Sequence, residues 1–588
     1  MTEETLADYL WRTRYRDPSA RPAERGIGDS WDRIAHAVAA VEQDAALWRR
    51  RFREELAEER FLPSGRILAG AGSERQVTLF SCFVMGAIQD SLTGIFEALK
   101  EGAVTMQQGG GVGYDFSSLR PRGAHARASG AIASGPVSFM RVWDAMCATI
   151  VSTGARRGAM MATLRCDHPD IEEFIDAKRS PEALSYFNLS VLVSDAFMVA
   201  VREDRPWPLT FAQVESGIPC IARTVGARDL WRRLTEAALR CAEPGVLFID
   251  RINRENNLGY CEHLTATNPC AEEPLPPYGA CNLGSLNLTA FVTEPFGERA
   301  RFDVAGIEET VRVAVRFLDD VIEISQFPLP AQREQARRSR RIGLGITGLA
   351  DALAMLGLRY DAQPAREAAA RVLRVMRDAA YQASLELARE RGAFPALEVG
   401  RYLERPFMQR LPDRIRQRIR REGIRNSHLL AIAPAGTISL LAGNLSSGIE
   451  PIFRTAGERR IIDPAGGYRR FPVTDWACAL WSRHNPGVAL PGCFVDQSQV
   501  SPLDQLHLQA AVQPFVDGSI SKTVTLPEEC TATEVAQLLE EAYDLGLKGC
   551  TVFREGARAG VLTETAHAED SGVSAPRAHC CELERESD

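Results

Sequence analysis

Three side chains capable of thiol and acid–base chemistry stand at alternate positions of one short segment, Asn268-Pro269-Cys270-Ala271-Glu272. Prolines at 269, 274, 276 and 277 exclude a regular helix, so we predict a rigid loop that can project one cysteine into a pocket. Residues two apart share a face of an extended segment, so the amide, thiol and carboxylate are expected to converge. Taken alone, a cysteine between Asn and Glu fits a structural role better.

Other segments strengthen the case for a site. Ser81-Cys82-Phe83-Val84 places a further cysteine beside an expected strand, and residues 109–113 form a glycine-rich turn that backbone or ligand can approach closely. This turn is neither a P-loop nor a dinucleotide fingerprint, because its glycine spacing is wrong and no Lys-Ser/Thr follows. Residues 434–439 follow an apolar run, and their N–H groups and hydroxyls suit a phosphate. An ordinary tight turn is the alternative for each glycine-rich segment.

The elements that must position these residues are short apolar runs alternating with helical stretches. The runs at 189–193, 209–211, 247–249, 429–433 and 523–526 favour a parallel α/β architecture with both sheet faces covered. Residues 1–60 are predicted to be helical, with Asp29-Ser30 capping a helix from Trp31 to about Glu42. Further helices are expected over 45–60 and 91–108. The basic clusters at 333–341 and 414–425 are interpreted as solvated faces of surface helices.

Composition limits the possible functions. The 588 residues carry 69 basic and 77 acidic side chains, a net charge of −8, which argues against a nucleic-acid partner. No run approaches the length of a membrane helix, and residues 1–30 are too charged for a signal peptide, so we expect a cytoplasmic protein. The 14 cysteines are many for a reducing compartment, so some are expected to react. Others are interpreted as buried structural residues, namely Cys147, Cys166, Cys241 and Cys478.

In their order along the chain, these motifs resemble those of the ribonucleotide reductases, specifically the class II type that depends on adenosylcobalamin. The resemblance covers about residues 25–555. It rests on residues 81–84, 109–113 with 115–117, 156–160, 268–272, 276–282, 343–345 with 348–351, 434–439, 446–451 and 519–523. Any one of these motifs could be chance, but the ordered set is specific.

The resemblance implies a fold and a reaction. The expected fold is a ten-stranded α/β barrel over 61–555 with Cys270 on a central finger loop, after a helical segment over 1–60 without an ATP-cone. Cys270 would form a thiyl radical and take hydrogen from ribose C3′, with Glu272 as general base at the 3′ hydroxyl and Asn268 holding the sugar oxygens. Cys82 and Cys281 would be the reducing pair, which forms a disulfide in each turnover. The expected substrate contacts are Ser64, Ser81, Gly110, Asn268, Pro269, Cys270, Ala271, Glu272, Pro434, Ala435, Gly436, Thr437 and Ile438.

The radical source separates the classes of this family. Class I enzymes receive the radical through adjacent tyrosines, but the corresponding stretch 549–554 holds Phe553 and no tyrosine pair occurs in the chain. The glycyl-radical motif of class III is absent as well. Adenosylcobalamin is therefore the expected cofactor, and no separate metal site is predicted. The alternatives are a class I large subunit that needs a radical-generating partner, and a catalytically silent nucleotide-binding regulator, against which the complete cysteine set argues.

Regulation and electron supply follow from the same resemblance. It implies a homodimer with a deoxynucleoside triphosphate effector at its interface, contacted by Asp90, Ser91, Leu92, Arg156 and Arg157, although the two arginines could simply pair with nearby acids. The expected substrate is a ribonucleotide, for which we predict the diphosphate form, and the expected reductant is a thioredoxin-like protein. Residues 556–588 are predicted to form a flexible redox tail ending in Cys580 and Cys581. Relatives usually carry spaced cysteines there, so three roles stay open for this adjacent pair: an electron relay, a metal-touching remnant, or none.

Overall fold

A helical region leads into a mixed α/β body in the computed structural model, which describes residues 4–124, 132–150, 158–180, 182–212, 219–462, 468–555 and 562–563. The α-helices within these ranges are α1 (Leu6–Leu10), α2 (Ile27–Ala39), α3 (Ala45–Ala57), α4 (Gly65–Gly70), α5 (Leu92–Gln107), α6 (Pro136–Thr149), α7 (Ile171–Ile175), α8 (Asp195–Arg202), α9 (Ala227–Cys241), α10 (Ile249–Glu255), α11 (Val304–Ile324), α12 (Pro330–Ser339), α13 (Leu349–Met355), α14 (Gln363–Arg391), α15 (Val399–Leu403), α16 (Pro406–Gln409), α17 (Asp413–Glu422), α18 (Gly436–Leu441), α19 (Trp476–His484), α20 (Pro502–Val512) and α21 (Ala532–Asp544).

The strands form one large sheet and four small ones. They are β1 (Phe61–Pro63), β2 (Cys82–Val84), β3 (Gly111–Asp115), β4 (Met160–Arg165), β5 (Phe187–Val193), β6 (Pro206–Ala212), β7 (Pro219–Gly226), β8 (Gly245–Phe248), β9 (Ala266–Thr267), β10 (Pro274–Leu275), β11 (Ala280–Asn287), β12 (Val292–Thr293), β13 (Arg301–Phe302), β14 (Ile342–Thr347), β15 (Ala456–Ile462), β16 (Tyr468–Thr474), β17 (Thr523–Leu526), β18 (Gly549–Arg554) and β19 (Leu562–Thr563).

The large sheet has the order β1-β11-β2-β3-β4-β5-β8-β18-β17, with β14 paired to β11. Strands β2, β3, β4, β5 and β8 run parallel to one another, and antiparallel pairs join them to β11 at one side and to β18 at the other. Strands β5 and β14 are buried along their whole length, as expected when helices cover both faces. The α/β prediction is therefore confirmed, but the sheet is mixed and not wholly parallel.

Individual elements match the sequence predictions to different degrees. The runs at 189–193, 247–249 and 523–526 correspond to β5, β8 and β17, whereas 209–211 lies in the separate β6–β7 hairpin. Residues 429–433 make only isolated bridges, Leu344 to Leu430 and Ile432 to Ile520. Helix α5 begins after Ser91, whose hydroxyl accepts the Gly94 N–H, as predicted. Helix α2 begins at Ile27, four residues before the predicted start at Trp31. Asp29 is therefore not the residue before the helix but lies in its first turn, where its carboxylate accepts the Arg25 N–H.

The two basic clusters differ. Residues 414–422 match the predicted surface helix, since α17 buries Ile415 and Ile419 and exposes arginines, but Arg425 lies beyond the helix and pairs with the buried Asp319. In the other cluster the interpretation was wrong for Arg340 and Arg341, which are buried and pair with Asp319 and Glu262 at 2.9 Å each. An arginine can be buried when a carboxylate neutralises its charge, and sequence spacing alone does not show that partner. The four cysteines interpreted as structural are buried.

The helical lead-in is held to the body by aromatic and charged contacts. The Phe52 ring on α3 packs edge-on against Phe317 on α11, with centroids 5.2 Å apart. Glu42, which follows α2, pairs with Arg316 at 2.5 Å and with Arg391 at 2.6 Å. Within the described ranges, no helix is long and apolar enough to cross a membrane. A cytoplasmic location stays a prediction.

Candidate active site

A two-stranded ribbon carries the Asn-Cys-Glu segment. Strands β9 and β10 pair antiparallel with Thr267 opposite Pro274, so residues 268–273 form the loop at the end of the ribbon. We call this ribbon and its loop the finger. Ala271 has a positive φ of 67°, and its N–H donates to the Asn268 carbonyl at 3.1 Å. The segment therefore turns back on itself, and Asn268 and Glu272 approach each other through this turn and not through the predicted alternation of an extended strand.

The glycine-rich turn supports the finger. A side chain at Gly113 would collide with the Thr267 carbonyl, and a Cβ at Gly111 would lie 3.2 Å from the Pro269 ring. Glycine is thus required here so that β3 can pack directly on the finger backbone. The neighbouring Gly110, predicted to contact substrate, lies against the Phe83 ring, 2.6 Å from where its Cβ would be. These glycines therefore allow other parts of the protein to pack closely against the turn, whereas the sequence analysis also expected close approach of a ligand.

Two cysteines face each other on neighbouring strands behind the finger. Cys82 on β2 is the direct partner of Cys281 on β11 in the antiparallel register. Directly opposite residues have Cα atoms about 4.5–5.5 Å apart, which is within the range that a disulfide spans. The Cys82 thiol donates to Glu272 Oε1 at 3.5 Å and accepts from Asn268 Nδ2 at 3.1 Å. The structure therefore brings four of the five predicted catalytic residues into one contact group.

The thiol of Cys281 is the more deeply placed of the two. Burial, followed by the neighbouring Glu273 carboxyl, raises the pKa of the Cys281 thiol well above its usual value. It therefore keeps its hydrogen at neutral pH. Glu273 is a residue that the sequence analysis missed, although a second acid directly after Glu272 was a visible signal. Burial raises the pKa of the Glu273 carboxyl to about 8, against the lowering effects of Cys281 and Arg341.

The fifth residue, Cys270, lies on the wall of a large cavity. It is half-buried, and it shares the cavity wall with Pro434 and Gly436 of the predicted phosphate segment. The cavity, including its open mouth, encloses about 1910 Å³. Cys82 reaches the back of the same finger loop through Asn268 and Glu272. Cys270 therefore lines the cavity, while Cys82, opposite Cys281, contacts the loop residues two positions on either side of it.

The predicted phosphate contacts fall into two groups. Ser64 and Ser81 are joined by a hydrogen bond between their hydroxyls at 3.1 Å. Residues 434–438 form a tight turn into α18, with Ala435 at a φ of 52° and Thr437 fully buried. Arg14 of the helical lead-in donates to the Thr437 hydroxyl at 3.4 Å, a contact across most of the chain that sequence spacing could not reveal.

The predicted effector contacts are only partly described. Asp90 is held by Arg120, whose Nε donates to it at 2.7 Å, and Ser91 caps α5. Leu92 is 67% exposed at the start of that helix. The predicted effector contacts Arg156 and Arg157, like the tail cysteines Cys580 and Cys581, lie outside the described residues. Within the described residues no group of three His, Cys, Asp or Glu side chains could hold a metal ion.

Comparison with known proteins identifies the family of this chain. The sequence model of the ribonucleotide reductase barrel domain matches residues 80–471 and 488–553, and that of the all-alpha domain matches residues 5–76. A vitamin B12-dependent ribonucleoside-diphosphate reductase of Mycobacterium tuberculosis is 39% identical over 94% of this chain and 80% of the relative. A protein of the same name from Thermoplasma acidophilum is 35% identical over 86% of this chain and 65% of the relative. The chain therefore belongs to the ribonucleotide reductases.

Proposed function

We propose that this chain reduces ribonucleoside diphosphates to 2′-deoxyribonucleoside diphosphates by a thiyl-radical reaction that depends on adenosylcobalamin. The observation that supports it most is the contact group behind the finger, in which Asn268 and Glu272 both touch the Cys82 thiol opposite Cys281. A third cysteine, Cys270, faces the cavity in front. The names of the M. tuberculosis and T. acidophilum relatives, which state vitamin B12 dependence and a diphosphate reductase, favour the same substrate and cofactor.

The finger residues divide the work at C3′ of the ribose. As a thiyl radical, Cys270 takes the C3′ hydrogen and later returns it, so its thiol is regenerated in each cycle. Glu272 accepts the proton of the 3′ hydroxyl, for which a buried carboxylate at hydrogen-bond reach is suited. Asn268 orients the sugar oxygens, and its own amide is fixed because its Oδ1 accepts the Glu273 N–H at 3.0 Å.

The cysteine pair supplies the electrons and hydrogens of the reduction. Cys82 protonates the departing 2′ hydroxyl, which leaves as water, and the Cys281 hydrogen takes its place at C2′. The two sulfurs then form the disulfide, so two electrons pass to the sugar and two thiols are oxidised. The raised pKa of Cys281 supports this role, since a thiolate would have no hydrogen to give.

Binding of the substrate phosphates is assigned to Pro434, Ala435, Gly436, Thr437 and Ile438, with Ser64, Ser81 and Gly110 as further contacts. Pro434 and Gly436 line the cavity beside Cys270, so a nucleotide with its phosphates there would place its ribose near the finger. All of these groups are uncharged. Arg14, which contacts Thr437, brings a positive charge close to the anionic phosphates.

We also place adenosylcobalamin in this cavity, which opens to solvent and can therefore admit a large cofactor at its mouth. The lining residues Phe453, Arg454 and Phe553, which belong to segments other than the finger, would hold the corrin ring. When bound, the cofactor supplies one-electron chemistry at the cavity face of Cys270. Phe553 has no phenolic hydrogen, which disfavours radical entry from a partner subunit by this route.

The described pairing supports the ten-stranded barrel. Strands β2, β3, β4, β5 and β8 supply five parallel members, and β11, β14, β17 and β18 supply four of the opposite half. The bridges from Leu344 to Leu430 and from Ile432 to Ile520 join β14, through residues 430–432, to the segment that leads into β17. With residues 430–432 as the tenth strand, these bridges would close the sheet between β14 and β17, and the barrel would surround the finger.

An exposed apolar face supports the predicted homodimer. Leu92 and Phe96 are one helical turn apart on α5 and are 67% and 52% exposed, and Val142 is exposed on the adjoining α6. Asp90 and Ser91 lie at the start of the same helix. Self-association through this face would place the expected deoxynucleoside triphosphate site at the edge of the interface. Arg156 and Arg157 stay predicted effector contacts.

Reduction of a ribonucleotide by the purified chain alone tests the proposal. With dithiothreitol and adenosylcobalamin we expect deoxynucleoside diphosphate, measured by chromatography, and we expect none when the cofactor is omitted. Triphosphate as the better substrate would contradict the diphosphate assignment. Activity only with an iron- or manganese-bearing partner would support the class I alternative, and nucleotide binding without turnover under every condition would support the silent regulator.

A further inference from the structure

The two consecutive acids of the finger serve different thiols. Glu272 Oε1 lies 3.5 Å from the Cys82 sulfur, whereas Glu273 lies against Cys281 on the neighbouring strand. We propose that Glu273 is the acid that protonates the Cys281 sulfur when a dithiol reductant reopens the Cys82–Cys281 disulfide, so that Cys82 is the sulfur attacked. This inference rests on the proposed function, which makes these two cysteines the pair oxidised in each turnover.

Glu273 is held firmly in place. Its backbone N–H donates to Asn268 Oδ1 at 3.0 Å, and its carbonyl accepts the Asn268 N–H at 3.3 Å. Its side chain is buried, and among the described residues Oε1 has no hydrogen-bond partner. A Cβ at Gly343 on β14 would lie 2.5 Å from this oxygen, so the absence of a side chain there leaves room for the carboxyl. The carboxyl thus occupies a fitted position behind the cysteine pair.

The charges that face this carboxyl come from several elements. Cys281 on β11 and Glu272 in the finger are beside it, while Arg341, Asp517 and Lys548 precede β14, β17 and β18. Arg341 already pairs with Glu262 at 2.9 Å and donates to His428, so its positive charge is shared. Burial outweighs the remaining attraction and raises the pKa of Glu273 to about 8. At neutral pH the carboxyl therefore carries a proton that it can donate.

The two sulfurs differ in access. Cys82 touches Asn268 and Glu272, which stand two residues before and two residues after the cavity-lining Cys270. Cys281 is fully buried on the next strand, where its thiol is 3.4 Å from the Asn282 carbonyl. A thiolate that enters through the cavity therefore meets Cys82 first. The sulfur that must leave, and that needs a proton, is then Cys281.

The chemical balance is complete with a dithiol as reductant. Its first thiolate bonds to the Cys82 sulfur, the bond between the two cysteines breaks, and the electron pair goes to Cys281 with the proton of Glu273. Its second thiolate then displaces Cys82 as the reductant closes its own disulfide. The two protons lost by the reductant's thiols protonate Cys82 and restore Glu273. A protonated leaving group departs more readily than a thiolate, which is the gain Glu273 provides.

The first measurement separates this proposal from the proposed function. Pre-reduced wild-type enzyme, Glu273→Gln and Glu262→Gln are each given cofactor and ribonucleoside diphosphate without reductant. We expect the same single-turnover yield of product from all three, with loss of two thiols per chain, because the proton donor acts only in re-reduction. Absence of product and of thiol loss in the wild type would overturn the proposed function instead.

The second measurement follows re-reduction of the oxidised enzymes by dithiothreitol between pH 6.5 and 9, with rates divided by the thiolate concentration. In the wild type the rate constant should fall above pH about 8, where Glu273 loses its proton. Glu273→Gln should be slower by about 100-fold at pH 7 and should lack this fall. Glu262→Gln leaves the thiol contact intact but frees the charge of Arg341, so it should keep the wild-type rate at pH 6.5 and move the fall to lower pH. Identical profiles for wild type and Glu273→Gln would overturn the proposal.

A third measurement needs no variant. Oxidised wild-type enzyme is treated with a limiting monothiol, and the position of the mixed disulfide is read by peptide mass spectrometry. We expect the adduct on Cys82. An adduct on Cys281 would overturn the assignment even if Glu273→Gln failed to fold.

Discussion

Three thiols of identical chemistry stand in three different environments, and these environments distinguish their roles. Cys270 is half-buried at the cavity wall, Cys82 bonds to an amide and a carboxyl, and Cys281 is fully buried beside Glu273. A thiol that meets substrate and radical source must be accessible from the cavity. Thiols that only exchange hydrogens and electrons with the sugar are better shielded from water and stray oxidants.

At this scale we predict that Cys270→Ser keeps nucleotide binding but abolishes turnover, because a hydroxyl hydrogen is too strongly bonded to be exchanged in this way. Binding of a ribonucleoside diphosphate is measured by equilibrium dialysis and turnover by product chromatography. Cys261→Ser, which changes an exposed cysteine outside the site, serves as the control. Measurable deoxynucleotide from Cys270→Ser would disprove the assignment of the radical to Cys270.

At the scale of elements, the finger is positioned by its contact with β3. The Thr267 carbonyl, immediately before Asn268, occupies the space that a side chain at Gly113 on β3 would fill. The finger is short, so its support comes from this packing and from the Asn188 amide, which donates to the Pro269 carbonyl at 2.9 Å. A small displacement here moves the amide, thiol and carboxyl together.

We therefore predict that Gly113→Ala lowers kcat by about 100-fold, the effect of displacing reacting groups by about 1 Å. The added methyl group must push the finger backbone away, since β3 is fixed in the sheet. The free energy of unfolding, measured by thermal denaturation, should fall by only about 1–3 kcal/mol. Gly400→Ala on α15, where nothing lies within 4 Å of the new Cβ, should leave both quantities unchanged. Full activity of Gly113→Ala would show that catalysis does not depend on this position of the finger.

At the scale of the whole molecule, the proposed regulation and electron supply would depend on surfaces beyond the candidate active site. Leu92 and Phe96 form the apolar face of α5, which is not part of the finger. Helix α5 is nevertheless connected by residues 108–110 to β3, the strand on which the finger packs. Association of two chains at this face would thus be able to change the position of the finger through β3. The helical lead-in also contributes to the candidate active site, because Arg14 contacts the predicted phosphate segment at Thr437.

Phe96→Glu should shift the chain from dimer to monomer and remove stimulation by deoxynucleoside triphosphates, since a charge would be buried in the interface. Unstimulated activity should persist. Sedimentation velocity and effector titrations measure the two effects. Val199→Glu, which changes an exposed apolar residue on α8, should alter neither. A Phe96→Glu dimer with normal effector response would show that the interface lies elsewhere.

The tail is tested by replacing both of its cysteines. A Cys580→Ser, Cys581→Ser double variant should lose turnover driven by thioredoxin but keep turnover driven by dithiothreitol, which is small enough to reach Cys82 directly. The two rates are compared with those of the unaltered chain. Equal losses with both reductants would indicate a structural defect, and no loss with either would exclude the relay.

The sequence by itself determined the family, the α/β class and the residues proposed for the chemistry, because these depend on local residue types and their order. The finger as a rigid loop followed from its prolines, and the helix predicted over 91–108 corresponds to α5. Only the tertiary structure decided that Cys82 stands opposite Cys281, that Glu273 and not Glu272 faces Cys281, and that Arg14 reaches Thr437. Arg340 and Arg341 were misread for the same reason. Register, burial and ion pairing are set by residues far apart in the chain, which the spacing of neighbours does not encode.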